Sequence, residues 1–174
     1  MKQQTKTWLL VGGVVALLFI ATSGSTATGD SADVDYRGQS GLPRGMRNNN
    51  PGNLKYFNIG WQGEVGSDCV FSIFESYKWG IRAMMKQLFN YFNEGRDTIQ
   101  TIIAKWAPAG TSEGNPTGKY ADYVAGYVGV SKTARLAPDY NTIANLVIGM
   151  AWFENGRQAV TPGQTKAVWQ EFFA

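Results

Sequence analysis

The sequence predicts a mainly α-helical (α+β) fold with one small β-hairpin, preceded by a single N-terminal apolar helix. Three observations predict it. From Ser76 onward, apolar residues recur at helical spacing in successive stretches, each opened by a capping residue and closed by Gly or Pro. Before them, Trp61–Val65 and Cys69–Phe74 form two short runs separated by Gly66-Ser67-Asp68, the pattern of a hairpin. At the start, Trp8 to Thr22 is an unbroken run of apolar and small residues.

Taken in order, the N-terminal run follows Lys2 and Lys6, so the short basic side stays cytoplasmic. The run is shorter than the ~20 residues of an ordinary spanning helix. Residues 1–22 read either as an uncleaved membrane anchor or as an export signal removed near Ala27; a buried helix of the soluble domain is the third reading. The lack of an A-x-A triplet favours the anchor, with the lipid membrane engaged through residues 8–22. Residues 23–41 are rich in Ser, Thr, Gly and Asp and predict a flexible linker. The folded domain is expected over residues 42–174.

Within it, Ser76 is expected to cap a helix with Ile81, Met84, Met85, Leu88 and Phe92 on its buried face, ending at Gly95. Asp97 is the expected cap of a second, carrying Ile99, Ile102, Ile103 and Trp106 and stopped by Pro108. Thr117 is the expected cap of a third with Tyr120, Tyr123, Val124, Tyr127 and Val128. Asn141 is the expected cap of a fourth with Ile143, Leu146, Val147, Met150 and Phe153, ending at Gly156. Thr161 and Pro162 suit the start of a last helix reaching Phe172 and Phe173.

Composition narrows the chemistry. Lys2 and Lys6 carry two of the three net positive charges, so the rest of the chain stands at +1 and offers no electrostatic case for nucleic acid. The chain has no histidine. That excludes hydrolases with a histidine base and histidine-ligated zinc sites. With a single cysteine, Cys69, no metal cage or internal disulfide is expected, and no cofactor is implied. Cys69 sits in the apolar run D-C-V-F-S-I-F and reads as a buried small hydrophobe. Any proton chemistry must therefore run on carboxylates, tyrosine or lysine.

The stretch R-G-M-R-N-N-N-P-G-N-L-K-Y, Arg44 to Tyr56, carries the most local information. Pro51 biases Asn50 away from helical backbone, and Asn and Gly favour tight turns. An amide-rich loop of this kind supplies donors and acceptors together, which sugar hydroxyls and N-acetyl groups require. Asn48, Asn49, Asn50 and Asn53 are therefore candidate sugar contacts, with Tyr56 and Tyr120 as further lining residues. The competing reading is a well-capped structural turn.

Among the carboxylates, Glu154 stands out in N-L-V-I-G-M-A-W-F-E-N-G. It falls in the last turn of an apolar helix, facing the negative end of the helix dipole and flanked by Trp152 and Phe153. Both effects raise the pKa of a carboxyl, towards what a general acid needs. The competing reading is a solvated glutamate near a helix end. Glu64 is a strand residue, either a second site group or a surface charge. Glu75, Glu94, Glu113, Glu171 and Asp122 read as caps, loop charges or exposed positions.

The ordered series R-G-M-R-N-N-N-P-G-N-L, W-Q-G, F-S-I-F-E-S-Y-K-W-G-I-R-A, T-I-Q-T-I-I-A-K-W-A-P, N-P-T-G-K-Y-A-D-Y-V and F-E-N-G resembles a family of small phage and prophage virion proteins. The likeness covers about Arg44 to Gly156. A looser similarity is to the lysozyme-like lytic transglycosylases, whose E-S-G-like helix end and N-P-containing loop have counterparts here in E-N-G and N-N-N-P-G-N, in reversed chain order. Asn155 stands where those enzymes carry serine. The resemblance implies a lysozyme-like helical domain in which Glu154 serves as acid and then base on peptidoglycan glycan strands, leaving a 1,6-anhydro product without a second carboxylate.

The expectation is thus a membrane-tethered, virion-associated peptidoglycan-cleaving glycosidase used in phage entry, single-pass in the virion membrane with its C-terminal domain outside. Two alternatives stand beside it. One is a non-enzymatic virion structural or glycan-binding protein. The other is an exported bacterial cell-wall lytic accessory protein, periplasmic or secreted after signal cleavage.

Overall fold

Helix α5, Tyr140–Asn155, is apolar nearly all round, and a helix of that kind must be buried. It runs through the middle of the core, packing against α2 (Tyr77–Asn93), α4 (Thr117–Val128), α6 (Pro162–Phe172) and the short α1 (Arg44–Arg47). Helix α3, Ile99–Trp106, lies against α4. The computed structural model describes residues 31–110 and 116–174. The fold is α+β: these helices and a two-stranded antiparallel sheet of β1 (Glu64–Ser67) and β2 (Ser72–Phe74). Ile81, Met84, Met85 and Leu88 of α2, Ile99, Ile102 and Ile103 of α3, and Ile143, Leu146, Val147 and Met150 of α5 are fully enclosed. Each such side chain contributes about 1.5–3 kcal/mol by leaving water.

The expected membrane segment at residues 8–22 and the first part of the linker, 23–30, lie outside the described residues, as do Glu113 and Asn115. Among the described residues, no helix is long and apolar enough to cross a membrane.

The chain packs earlier than Leu42. Ala32 is buried, and Val34 and Tyr36 rest on the core. Tyr77 N–H donates to Val34 O at 2.7 Å, and the Tyr36 and Tyr77 rings meet edge-on with centroids 4.8 Å apart. Three apolar residues in a polar stretch thus pin residues 32–36 against the folded unit.

Helix ends follow the expected chemistry with small displacements. Gly156 closes α5 in the left-handed region at φ 65°. At the start of α6, Thr161 and Gln164 form a capping box with Pro162 at the first turn. Elsewhere a neighbour takes the cap. Asp139, not Asn141, caps α5, accepting from Thr142 N–H at 2.8 Å. Thr98, not Asp97, caps α3 in a box with Thr101, while Asp97 pairs with Arg135 at 2.8 Å. Thr117 lies inside α4 and its hydroxyl donates to Ala107 O at 2.6 Å, tying the end of α3 to the start of α4. Ser76 stands at the N-cap of α2, but its hydroxyl donates to Asp33 at 3.0 Å instead of serving the helix.

The hairpin is shifted relative to expectation. Its turn spans Asp68–Phe71, not Gly66–Asp68, and the pairing runs Glu64 to Phe74, Gly66 to Ile73 and Ser67 to Ser72 with a bulge after Glu64. Asp68 sets this turn, because its carboxylate accepts from Val70 N–H at 3.1 Å and Phe71 N–H at 2.9 Å. Cys69 is carried to the tip at φ 79° and is exposed, contrary to the buried position expected of it.

Candidate active site

The asparagine loop leaves α1 and crosses the face of the domain above the end of α5. Three of its expected sugar contacts are enclosed and engaged with the fold. Asn48 donates to Asp68 at 2.6 Å. Asn49 donates to Asp35 at 2.9 Å and Phe74 O at 3.0 Å, and accepts from Tyr36 N–H. Asn50 donates to Leu54 O and Ser72 O, both at 2.9 Å, and accepts from Leu54 N–H. All three are buried. An amide-rich loop satisfies itself inward when backbone groups from the hairpin and the N-terminal strip come within reach. The assignment of Asn48, Asn49 and Asn50 as substrate contacts is thereby corrected: their amides build the loop.

Asn53 is different. It sits at φ 49°, and its side-chain amide donates to Glu154 Oε2 at 3.0 Å. The other carboxylate oxygen, Oε1, accepts from Tyr120 Oη at 2.9 Å and from Trp106 Nε1 at 3.0 Å. Four elements thus converge on one carboxyl: the loop, α3, α4 and α5. Gly52 makes the convergence possible, since a Cβ there would stand 2.8 Å from the Trp106 ring.

Burial pushes the Glu154 carboxyl above its ordinary value, with the hydrogen bonds from Asn53, Tyr120 and Trp106 opposing the shift. Desolvation wins over three donors. Tyr120 is pushed well above the usual phenol value by its own burial and then by Glu154 beside it, so it remains a donor. Its ring stacks on Phe153 at 4.0 Å, which fixes the hydroxyl's direction.

Glu154 opens on a groove of about 510 Å³. Its walls are Leu54, Phe57, Ile59, Trp61 and Phe71 from the loop and hairpin, and Gln87, Tyr91, Lys105, Trp106 and Pro108 from the helical side. Among the described residues lining it, Glu154 is the acidic one. The size and the apolar walls with a few polar groups are those of a small-ligand or oligomer subsite. Phe57 and Ile59 are 70% and 60% exposed, so one wall stands open to solvent with its apolar faces uncovered.

The sequence-predicted residues therefore divide. Glu154, Asn53 and Tyr120 come together, Tyr120 as a buried partner of the carboxyl rather than a lining side chain. Tyr56 does not line the groove: its backbone pairs with Val70 O and its hydroxyl donates to Asn58, while its neighbours Lys55 and Phe57 face the cavity. Glu64, on β1, is not among the residues that line the groove. Glu94, Glu171 and Asp122 pair at the surface with Arg96, Lys78 and Lys132. Sequence reasoning missed Trp106, read only as a core position, and the groove walls Phe57, Ile59, Gln87, Tyr91 and Lys105. A buried indole N–H needs an acceptor, and that requirement was the available signal for Trp106.

No family model matches the chain. Protein P5 of Pseudoalteromonas phage PM2 is 35% identical to it over 130 residues, covering 71% of this chain and 78% of that protein. At that identity and coverage, the chain belongs to the family of phage proteins represented by PM2 protein P5.

Proposed function

We propose that this chain is a virion-associated glycosidase that opens peptidoglycan during phage entry, with a lysozyme-like arrangement of groove and acid. One observation carries the reading: a carboxyl whose ionised form is disfavoured by burial, held by Asn53, Trp106 and Tyr120, at the floor of an apolar-walled groove. Family membership supports the phage setting, and the N-terminal run at residues 8–22 supports a membrane tether that leaves the domain outside.

The chemistry follows from a single acid. Neutral Glu154 protonates the oxygen of the bond between N-acetylmuramic acid and N-acetylglucosamine, and that bond breaks with positive charge on the muramic C1. The resulting carboxylate takes the proton from the muramic C6 hydroxyl as that oxygen bonds to C1. The ring closes as a 1,6-anhydro product, and Glu154 is neutral again. No water and no second carboxylate enter the balance. Trp106 and Tyr120 stabilise the carboxylate between the two steps, and the exposed faces of Phe57 and Ile59 pack against sugar C–H faces.

The second reading is a glycan-binding or structural virion protein without turnover. The engagement of Asn48, Asn49 and Asn50 within the fold favours it, because it leaves few polar groups to orient a substrate. Incubating the purified full chain with peptidoglycan sacculi separates the two. The enzyme reading expects soluble fragments ending in 1,6-anhydromuramic acid by mass spectrometry. Fragments with reducing muramic ends would mean hydrolysis by water, and sedimentation with sacculi without any fragment would mean binding alone.

A further inference from the structure

Among the described residues, two buried acceptors near Glu154 have no donor: Asn53 Oδ1 and Asn155 Oδ1. Buried polar atoms are normally paired, and an orphan costs about 1–3 kcal/mol. These two face the same place. A Cβ on Gly45 would lie 2.8 Å from Asn53 Oδ1, 2.7 Å from Asn155 Oδ1 and 2.9 Å from Asn50 O. Only glycine leaves room for this, and its Cα–H groups are weak partners for so many oxygens.

Asn155 cannot relieve the arrangement. Its Nδ2 donates to both Pro51 O and Ala151 O at 2.8 Å. Turning that amide would set its oxygen against two carbonyls. Asn53 can relieve it. Its backbone is held at φ 49° by its N–H bond to Asn50 O, but its amide plane turns about one side-chain torsion. In the present orientation Nδ2 donates to Glu154 Oε2 at 3.0 Å and, more weakly, to the Glu154 backbone carbonyl at 3.4 Å. Turned over, Nδ2 takes the side of Gly45 on which Asn155 Oδ1 also lies, and Asn53 Oδ1 faces Glu154 Oε2, where it accepts a proton; the long contact to Glu154 O is given up.

We infer that Asn155 is a positioning residue for the Asn53 amide, favouring the turned orientation in which Asn53 Oδ1 accepts the proton of neutral Glu154, and that the amide turns back when the carboxyl ionises. Oε2 is the protonated oxygen, because Oε1 already accepts from Tyr120 and Trp106. Both states are then paired at the carboxyl; the neutral one also pairs Asn155, where the ionised one keeps only the 3.4 Å contact to Glu154 O. The remaining titratable groups around the groove are Tyr120 from α4, Lys105 from α3, Tyr91 from α2 and Lys55 from the loop. Tyr120 stays a donor in both states. The inference rests on the proposed acid role only for its bearing on turnover.

The test reads the proton and the amide rather than cleavage, on the isotope-labelled full chain by NMR. In the wild type, the nuclear Overhauser contact between the Asn53 side-chain NH₂ and the Gly45 Hα is expected to be clearly stronger below the Glu154 midpoint than above it. An intensity that does not change across the midpoint overturns the inference. Asn155→Ala, with its fold checked by circular dichroism, should lower the Glu154 carboxyl midpoint by about one pH unit, since Asn53 then donates to the carboxylate unopposed. An unchanged midpoint in a folded variant overturns it too. The wild-type measurement stands even if the variant does not fold. A chain that shows both results yet cleaves no peptidoglycan would sink the enzyme reading and leave this one intact.

Discussion

Asn53 and Glu154 are 101 residues apart in the chain and joined by a 3.0 Å bond between amide and carboxylate. The bond ties the asparagine loop to the last turn of α5, and the same carboxyl is bonded from α3 and α4. The site is therefore also a structural junction, and changes there alter stability as well as chemistry.

Glu154→Gln should stabilise the fold at neutral pH. The folded pKa of Glu154 is raised by burial. Stability from such a group is fully present below its unfolded value of about 4.3 and is lost as pH rises through the folded pKa. Glutamine mimics the neutral acid, accepting from Tyr120 and Trp106 and donating to a turned Asn53. Thermal melts should show a gain of about 2–4 °C at pH 7 that vanishes below pH ~4. A loss of stability at pH 7 would mean that ionised Glu154 is a net stabilising group.

Tyr120→Phe removes one donor from Oε1 and keeps the ring packed on Phe153. The Glu154 midpoint should move further up, because a bond that favours the carboxylate is gone. Carbon-13 titration of the carboxyl checks this. The step needing the carboxylate as base should slow about tenfold, in line with the loss of one charge-assisted hydrogen bond.

Asp68→Ala should cost about 2–3 kcal/mol in denaturant unfolding. Its carboxylate accepts from Arg44, Asn48 and the N–H groups of Val70 and Phe71, locking α1, the asparagine loop and the hairpin turn together. Burial raises its pKa, but the Arg44 guanidinium and the other donors outweigh it and hold the carboxyl well below the usual range. Its contribution is present above the unfolded value of about 3.9 and is lost as pH falls through the depressed one. The wild-type lock should consequently survive mild acid.

Replacing Phe57 and Ile59 together with Ala should leave the fold intact, since both are mostly exposed. Sedimentation with sacculi should weaken about five- to tenfold, and KM should rise with little change in kcat. A fall in kcat alone would place this wall at the reacting bond instead.

Much of the helical architecture was legible because helix ends are local. Gly156 and the Thr161-Pro162 pair act through their own backbone, and the structure places them as the spacing predicts. The caps of α3 and α4 moved by one residue, with Asp97 and Thr117 bonded elsewhere in the fold, and Asp139 took the cap of α5 two residues before Asn141. The place of Glu154 in the last turn of an apolar helix was legible, but the groups that hold its carboxyl, Asn53, Trp106 and Tyr120, come from distant parts of the chain. The asparagines were not legible. Whether an amide faces inward or outward depends on partners such as Ser72 and Phe74, more than twenty residues away, and no local pattern encodes that. Cys69 was misread for a similar reason, since Asp68 fixes a turn that lifts its neighbour out of the core.

The most direct test of the central claim is a peptidoglycan zymogram comparing the full wild-type chain with Glu154→Gln. The account predicts clearing by the wild type and none by a variant that is folded and at least as stable. Equal clearing by both would contradict the assignment of Glu154 as the acid, and clearing by neither, with the wild type still bound to cell wall, would contradict the enzyme itself.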